Sequence, residues 1–246
     1  AYYDRDTHHP LAFVLGQDPA VNSLLWQFYD LWYLGYPDQA LKKSEEGMVL
    51  TQELGHAFSS FFLLNFKSRR HRWRREATEV YKLTETQMEF WREYKMELAK
   101  AGAMMEQAWV LSAQGHPDEA IPMHEEALTC FNATGMFNHR TEFLCVRAEM
   151  YSKVGNPAHG LELIEEAIAF MQPSDERYHE AELYRMRGLL RLQQDENNAD
   201  EAENDFHTSI AAARRMEAKM CELRTTVCLS RLWQQQGKRE QARQML

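Results

Sequence analysis

Four cysteines and ten histidines are the side chains best suited to catalysis or metal binding, but their spacing builds neither kind of site. Cys130, Cys145, Cys221 and Cys228 lack the Cys-x-x-Cys spacing of zinc and redox motifs. The sequence also lacks a glycine-rich phosphate loop, a His-Glu-x-x-His pair and a Gly-x-Ser-x-Gly elbow. We therefore predict that the chain is not an enzyme and binds no metal or cofactor. The thiols are expected to be reduced and packed in or near the core.

A run of basic residues between positions 67 and 75 could bind an anion. Six of its nine side chains are basic, although the whole chain carries a net charge of −9. This basic patch comprises Lys67, Arg69, Arg70, Arg72, Arg74 and Arg75. It could dock an acidic protein segment, a nucleotide phosphate or nucleic acid, with Trp73 as a stacking surface. The alternative, which we favour, is a solvated turn between two helices whose arginines pair with neighbours such as Glu76 and Glu79.

A turn that recurs along the chain indicates the elements that position these residues. It reads LGYPDQA from Leu34, QGHPDEA from Gln114 and VGNPAHG from Val154, and a version without proline, QGKREQA, starts at Gln236. Weaker versions cover residues 72–77 and 198–202. Each version contains a small residue, and these fall at positions 40, 77, 120, 160, 202 and 242. A spacing near 40 residues indicates a repeat protein.

Each turn predicts a helical hairpin. Glycine closes the first helix in a left-handed conformation, and proline suits the first turn of the second helix. The small residue lets the two helix axes approach closely. Because one hairpin cannot bury its apolar face alone, neighbouring hairpins must stack. We therefore predict an all-α solenoid of about six antiparallel hairpins, near 19–34/37–54, 57–69/73–90, 94–114/117–133, 138–154/157–171, 175–194/199–216 and 218–236/239–246.

No low-complexity linker interrupts this series, so we expect a single domain over residues 1–246 with an N-terminal extension over 1–17. The repeats are expected near 18–55, 56–92, 93–135, 136–173, 174–216 and 217–246. Because the chain has no initiator methionine and stops a few residues into its last predicted helix, we interpret it as a fragment of a larger protein. The uncovered face of the last repeat would then permit self-association into a homo-oligomer.

The repeated turn carries a resemblance to a known family. A large apolar residue lies about four positions before the turn glycine, at Leu31, Leu111, Tyr151 and Trp233. Together with the turn, this pattern resembles the tetratricopeptide repeat (TPR). The resemblance implies a right-handed superhelix, with repeats of about 40 residues that are longer than the usual ~34.

Three stretches are similar, more narrowly, to the C-terminal helical-repeat region of large bacterial signalling proteins. They are LGYPDQAL from Leu34, EAELYR from Glu180 and RLWQQQGK from Arg231. In that group the region follows an ATPase module, often with an adenylate cyclase or transcriptional-activator domain in front. The resemblance implies a regulatory or scaffolding part of a larger chain, without catalysis in these residues.

First helices of such hairpins line a concave groove, so their unpacked side chains are candidates for binding a partner. Projecting these helices predicts a groove that is aromatic toward its N-terminal end and basic toward its C-terminal end. Its candidate residues are Tyr29, Trp32, Tyr33, Phe62, Arg69, Arg70, Trp109, Arg187, Arg191 and Arg231. We expect a protein or peptide partner, either an acidic segment or another domain of the parent chain, held by arginine forks.

The alternative function is a small-ligand or nucleotide sensor that controls an attached catalytic domain. In that hypothesis Tyr29, Trp32, Trp109 and the arginines form a pocket. Tight binding of a small molecule needs a closed cavity, whereas a solenoid offers a long shallow groove, so we favour the interaction module.

Composition excludes several other classes. No window approaches 18 uninterrupted apolar residues, which argues against a membrane-spanning helix. The polar N-terminus does not read as a secretory signal peptide. The chain has 37 acidic and 28 basic residues, and this acidic excess disfavours nucleic-acid binding. We expect a cytoplasmic protein.

Overall fold

The computed structural model describes residues 3–136 and 138–245. Within these residues the chain is α-helical and contains no β-strand. It forms two compact units, the first comprising residues 1–32 and 36–136 and the second residues 33–35 and 137–246. The all-α fold is therefore confirmed, and the expected single domain over 1–246 stays a prediction.

The first unit contains a short N-terminal segment and three hairpins. The segment consists of α1 (Arg5–His8), a 3-10 turn (His9–Leu11) and α2 (Ala12–Leu15). The hairpins are α3 (Pro19–Tyr33) with α4 (Pro37–Leu54), α5 (Ala57–Trp73) with α6 (Ala77–Tyr94), and α7 (Glu97–Ala113) with α8 (Pro117–Ala133). The predicted hairpins are confirmed, except that α5 continues beyond its predicted end at residue 69, and α6 begins correspondingly later.

The second unit contains three more hairpins. They are α9 (Arg140–Lys153) with α10 (Pro157–Ser174), α11 (Glu180–Gln194) with α12 (Ala199–Arg215), and α13 (Lys219–Gln235) with α14 (Arg239–Met245). Two 3-10 turns, Arg177–His179 and Glu196–Asn198, precede α11 and α12. Across the described residues, none of the helices has both the length and the apolar character that crossing a membrane requires.

The buried residue near the start of each second helix sets the register of the repeat. Ala40, Ala120, Ala202 and Ala242 are fully buried at this place, and Gly160 is buried there too. In the second hairpin the equivalent residue is Val80, and the expected small residue at position 77 is wrong. Ala77 is only the first residue of α6, three positions too early. The Val80 N–H bonds to the carbonyl oxygen four residues earlier, as does the N–H of Ala40.

The turn of the second hairpin was predicted four residues too early because a charged residue replaces its turn glycine. Arg75 has a φ of 62°, the left-handed conformation that Gly35 and Gly115 adopt in the neighbouring turns. The next residue, Glu76, donates its N–H to the carbonyl oxygen of His71 at 3.0 Å, as Tyr36 donates to Leu31 at 2.8 Å. The turn geometry is therefore kept without the residue type that usually signals it.

Close packing at the small residue is clearest in the second unit. A Cβ atom added to Gly160 would lie 2.9 Å from Leu190 Cδ2 on α11 and 3.2 Å from the carbonyl oxygen of Ala148 on α9. Helix α10 therefore fits tightly against both its own first helix and the first helix that follows. Leu144, Ile164 and Leu183 fill the core at the same three-helix contact. In this unit α9 and α10 thus bury their apolar faces against α11 of the next hairpin, as stacking requires.

Candidate partner-binding site

Most of the basic patch lies in helix rather than in a turn. Because α5 continues to Trp73, Arg69, Arg70 and Arg72 fall in its last turns, and none of the three is more than 7% exposed. Lys67 is half-buried, whereas the patch residues Arg74 and Arg75 are exposed. The six residues are close in sequence, but in the structure they do not form one exposed surface. A fully solvated turn does not describe them either.

The buried cations of the patch contact groups within the first unit. Arg72 Nε lies 3.2 and 3.1 Å from the two carboxylate oxygens of Glu106 on α7. Arg70 donates from Nη2 to His71 Nε2 at 2.8 Å, so the opposite ring nitrogen of His71 carries the proton and donates to Glu76 at 2.5 Å. Burial and the nearby Arg70 charge lower the pKa of His71, despite the opposing effect of Glu76. These contacts favour a structural role for the buried part of the patch.

The aromatic residues predicted for the groove form a packed cluster in the first unit. The Tyr29 ring lies 5.3 Å from Phe66 and 5.4 Å from Trp73, and Trp32 stacks on Trp73 at 5.9 Å between ring centroids. Tyr29 and Trp32 are each only 6% exposed. Trp26, which the sequence analysis missed, is half-exposed at the edge of this cluster. Its position three residues before Tyr29, on the same helix face, was the available signal.

The other groove candidates of this region differ in accessibility. Trp109 is almost fully buried on α7, beneath the Arg75 guanidinium, which lies 6.0 Å from the ring centroid. The Arg69 guanidinium lies over the Phe66 ring at 5.3 Å. Phe62 and Tyr33 are half-buried. Only part of the predicted aromatic surface is therefore open to a partner.

Two of the predicted groove arginines of the second unit are used in ion pairs between helices. Arg187 contacts Asp205 of α12 at 2.6 Å and Glu165 of α10 at 3.1 Å. Arg191 contacts Asp205 at 3.2 Å and Glu201 at 3.0 Å. Both guanidiniums therefore hold α11 against second helices.

A buried charge cluster that no sequence motif indicated lies on the first helices of the second unit. Glu182 receives hydrogen bonds from Arg185 at 2.7 and 2.9 Å, and its other oxygen lies 3.4 Å from Arg224 Nη1. Burial would raise the pKa of Glu182, but the two guanidiniums outweigh it and hold this pKa well below its usual range. The carboxylate therefore stays ionised although it is buried.

An open cleft lies beside this cluster, between α11 and α13. It has a volume of about 600 Å³ and an apolar wall formed by Leu189, Leu192 and Leu232. Arg231 lines the cleft, is exposed, and forms no ion pair with any residue that the structure describes. Of the predicted groove residues in the second unit, Arg231 is thus the one whose guanidinium is available to a ligand.

The remaining polar groups of the cleft limit what it can bind. Gln193 is held by Ser152, whose carbonyl oxygen accepts from the Gln193 amide at 2.7 Å. Gln235 lies on the α13 side, and Glu196 adds one negative charge opposite Arg231. An apolar wall with one free guanidinium and adjacent amides suits a ligand that combines an apolar group with a carboxylate.

The first unit has a separate cleft of about 580 Å³ that was not predicted. Phe58, Met96 and Leu98 form its apolar wall, and Cys130 opens into it. Lys95 and Glu97 lie at its rim and carry opposite charges. No repeat pattern indicates this cleft, because its lining comes from the second hairpin, the third hairpin and the residues that follow α8.

No protein-family model matches the chain, and no curated protein matches it. One solved structure that matches is a Podospora anserina kinesin light chain described as having nearly identical TPR-like repeats, at 18% identity and a TM-score of 0.49. The match covers 74% of this chain and 89% of that chain. The resemblance to bacterial signalling proteins finds no support in these comparisons, and the assignment of an all-α array of TPR-like hairpins rests on the hairpins themselves.

Proposed function

We propose that the chain is a non-catalytic interaction module that binds a partner segment in the cleft between α11 and α13. The exposed, unpaired Arg231 beside an apolar wall is the observation that supports this proposal. Other arginines predicted to line the groove are buried or paired, so Arg231 is the natural anchor for a carboxylate. The partner segment would place a leucine-sized side chain on the wall and an acidic group on Arg231.

The role in a larger chain belongs to the same proposal. We infer that such binding regulates or assembles a bacterial signalling protein, in which the partner segment comes from another domain or another protein. The four cysteines are free thiols, which is consistent with a reducing cytoplasmic compartment. The nucleotide-sensor alternative gains no support, because Tyr29, Trp32 and Trp109 are buried, each no more than 6% exposed.

Peptide binding tests the proposal directly. Fluorescent peptides that pair leucine with aspartate or glutamate are titrated with the protein, and versions carrying lysine in place of the acid serve as the comparison. We expect the acidic peptides to bind, and R231E to weaken binding at least about tenfold, or about 1.4 kcal/mol. R243E, a charge reversal at an exposed arginine of α14, is the control and should leave binding unchanged. Equal binding of acidic and lysine peptides, or equal loss in both variants, would refute the proposal.

A further inference from the structure

The cleft between α11 and α13 also contains a half-buried thiol, Cys228. Its sulfur lies 4.0 Å from Nη1 of Arg185, a residue that is itself only 6% exposed. Arg224 and Arg231 lie four residues before and three residues after Cys228, on the same face of α13. Arg185 therefore contacts the thiol, and Arg224 and Arg231 lie about one helical turn from it on either side.

The charges around Cys228 favour anions. Arg185, Arg224 and Arg231 contribute three positive charges, and Glu182 and Glu196 contribute two negative ones. Over these five groups the balance is one positive charge, in a chain whose net charge is −9. Of these groups, Arg231 is exposed and unpaired, so an incoming anion can reach it without breaking an ion pair.

The other cysteines provide a comparison within the same chain. Cys145 and Cys221 are buried, and burial raises the pKa of each thiol to about 12, so neither is expected to react. Cys130 is half-buried like Cys228 and opens into the cleft of the first unit. The charges of Lys95 and Glu97 cancel there, so Cys130 lacks the excess of positive charge found near Cys228.

We propose that Cys228 is a site of thiol–disulfide exchange with small anionic disulfides, which the cleft binds through Arg231 and its leucine wall. The Cys228 thiol loses its proton to solvent, and the thiolate attacks one sulfur of the bound disulfide. A bond forms between Cys228 Sγ and that sulfur while the original sulfur–sulfur bond breaks. The other half leaves as a thiolate with the electron pair, so Cys228 is oxidised and the leaving half is reduced.

Reactivity at Cys228 requires only the cleft, and it does not depend on a protein partner. If the proposed function also holds, the adduct would fill the cleft and exclude the partner segment. That consequence rests on the proposed function, whereas the exchange reaction is measured on the protein alone. The two ideas can therefore fail independently.

The experiment compares an anionic with a neutral aromatic disulfide on the whole chain. Dithio-bis(nitrobenzoate) is the anionic probe and dithiodipyridine is the neutral one. Absorbance of the released thiolate or thione follows the rate, and peptide mass spectrometry locates the adduct. The proteins are the wild type, C228S, C130S, R231E, R231Q and R243E, each checked for folding by circular dichroism and thermal unfolding.

With the anionic probe we expect one fast equivalent at Cys228, which C228S removes and C130S keeps. R231E should slow this phase by about tenfold and R231Q by less, whereas R243E should leave it unchanged. The neutral probe should react with Cys228 at nearly the same rate in all five proteins that keep both this thiol and the fold. A fast phase that survives in C228S would overturn the proposal, as would equal slowing of both probes by R231E.

Discussion

At the scale of single residues, Glu182 holds together the buried charges of the second unit. Two guanidiniums, from Arg185 and Arg224, lie within 3.4 Å of its carboxylate oxygens. Without this carboxylate, Arg185 would be a buried cation with no counter-ion beside it. The cost of burying an unpaired charge is much larger than the gain from an average surface ion pair.

We therefore expect E182Q to lower the free energy of unfolding by about 3 kcal/mol, because the amide keeps the shape of the side chain but removes its charge. Urea denaturation followed by circular dichroism measures this change. E79Q is the matched control, since Glu79 forms an exposed ion pair with Lys82 at 2.8 Å, and its midpoint should barely move. Similar midpoints for E182Q and E79Q would contradict the interpretation.

His71 makes the stability of the first unit depend on pH. Its ordinary pKa of 6.5 applies to the unfolded chain, and burial lowers its pKa in the folded protein. Between these two pKa values the unfolded chain binds more protons, so acidification favours unfolding. The contribution is complete above about pH 6.5 and is lost as the pH falls toward the lower, folded value.

H71Q should reduce this pH dependence, because glutamine does not titrate but can still bridge Arg70 and Glu76. Thermal unfolding of both proteins is measured at about pH 7 and about pH 5. The melting temperature of the wild type should decrease more on acidification than that of H71Q. His56, whose pKa burial also lowers, is present in both proteins and cancels in the comparison. An identical loss in the two proteins would rule out His71 as the source.

At the scale of elements, the ends of the second helices share one backbone conformation. Gly55, Lys95, Gly135, Asp175 and Glu217 all have positive φ values, between 52° and 80°. They follow α4, α6, α8, α10 and α12 in turn. Three of the five carry a side chain in a conformation that costs an ordinary residue roughly 1 kcal/mol. The repeat therefore imposes its turn even where the sequence does not favour it.

Substituting glycine for either of two exposed lysines is expected to change the stability of the protein in opposite directions. K95G should stabilise the protein by about 0.5 kcal/mol, because φ at this position is 52° and glycine adopts it without strain. K42G, inside α4, should instead destabilise by about 1 kcal/mol through the low helix propensity of glycine. Chemical denaturation of both variants measures the two changes. A loss of stability in K95G as large as in K42G would show that the left-handed turn stores no strain.

The helices were predictable where their connecting turn contains glycine and proline. Gly35 with Pro37 and Gly115 with Pro117 placed their hairpins correctly, since these residues restrict the backbone locally. The second hairpin was misplaced by four residues, because Arg75 adopts its left-handed conformation only under the constraint of the packed helices. Local sequence determines a turn that can form alone, but not one that tertiary packing enforces.

At the scale of the whole molecule, the candidate site was less predictable than the fold. Projection onto first helices selected Arg231, which is exposed in the cleft, and it also selected Arg187, whose partner Asp205 lies on another helix. It selected Arg70 as well, which is 1% exposed. Helical periodicity shows which side of a helix a residue occupies. Whether that side is buried, paired or open depends on neighbours that only the tertiary structure reveals.

The register of the buried residues has a consequence for how this chain can change. Within the first unit, positions 40, 80 and 120 are separated by equal intervals of 40 residues, so the junctions between its hairpins recur at one spacing. Duplicating or deleting one complete interval would keep every surviving junction in register, whereas losing ten residues would disrupt two of them. Lengthening and shortening of such a protein in evolution should therefore proceed in whole hairpins, and the same unit is the sensible one for recombining it in the laboratory.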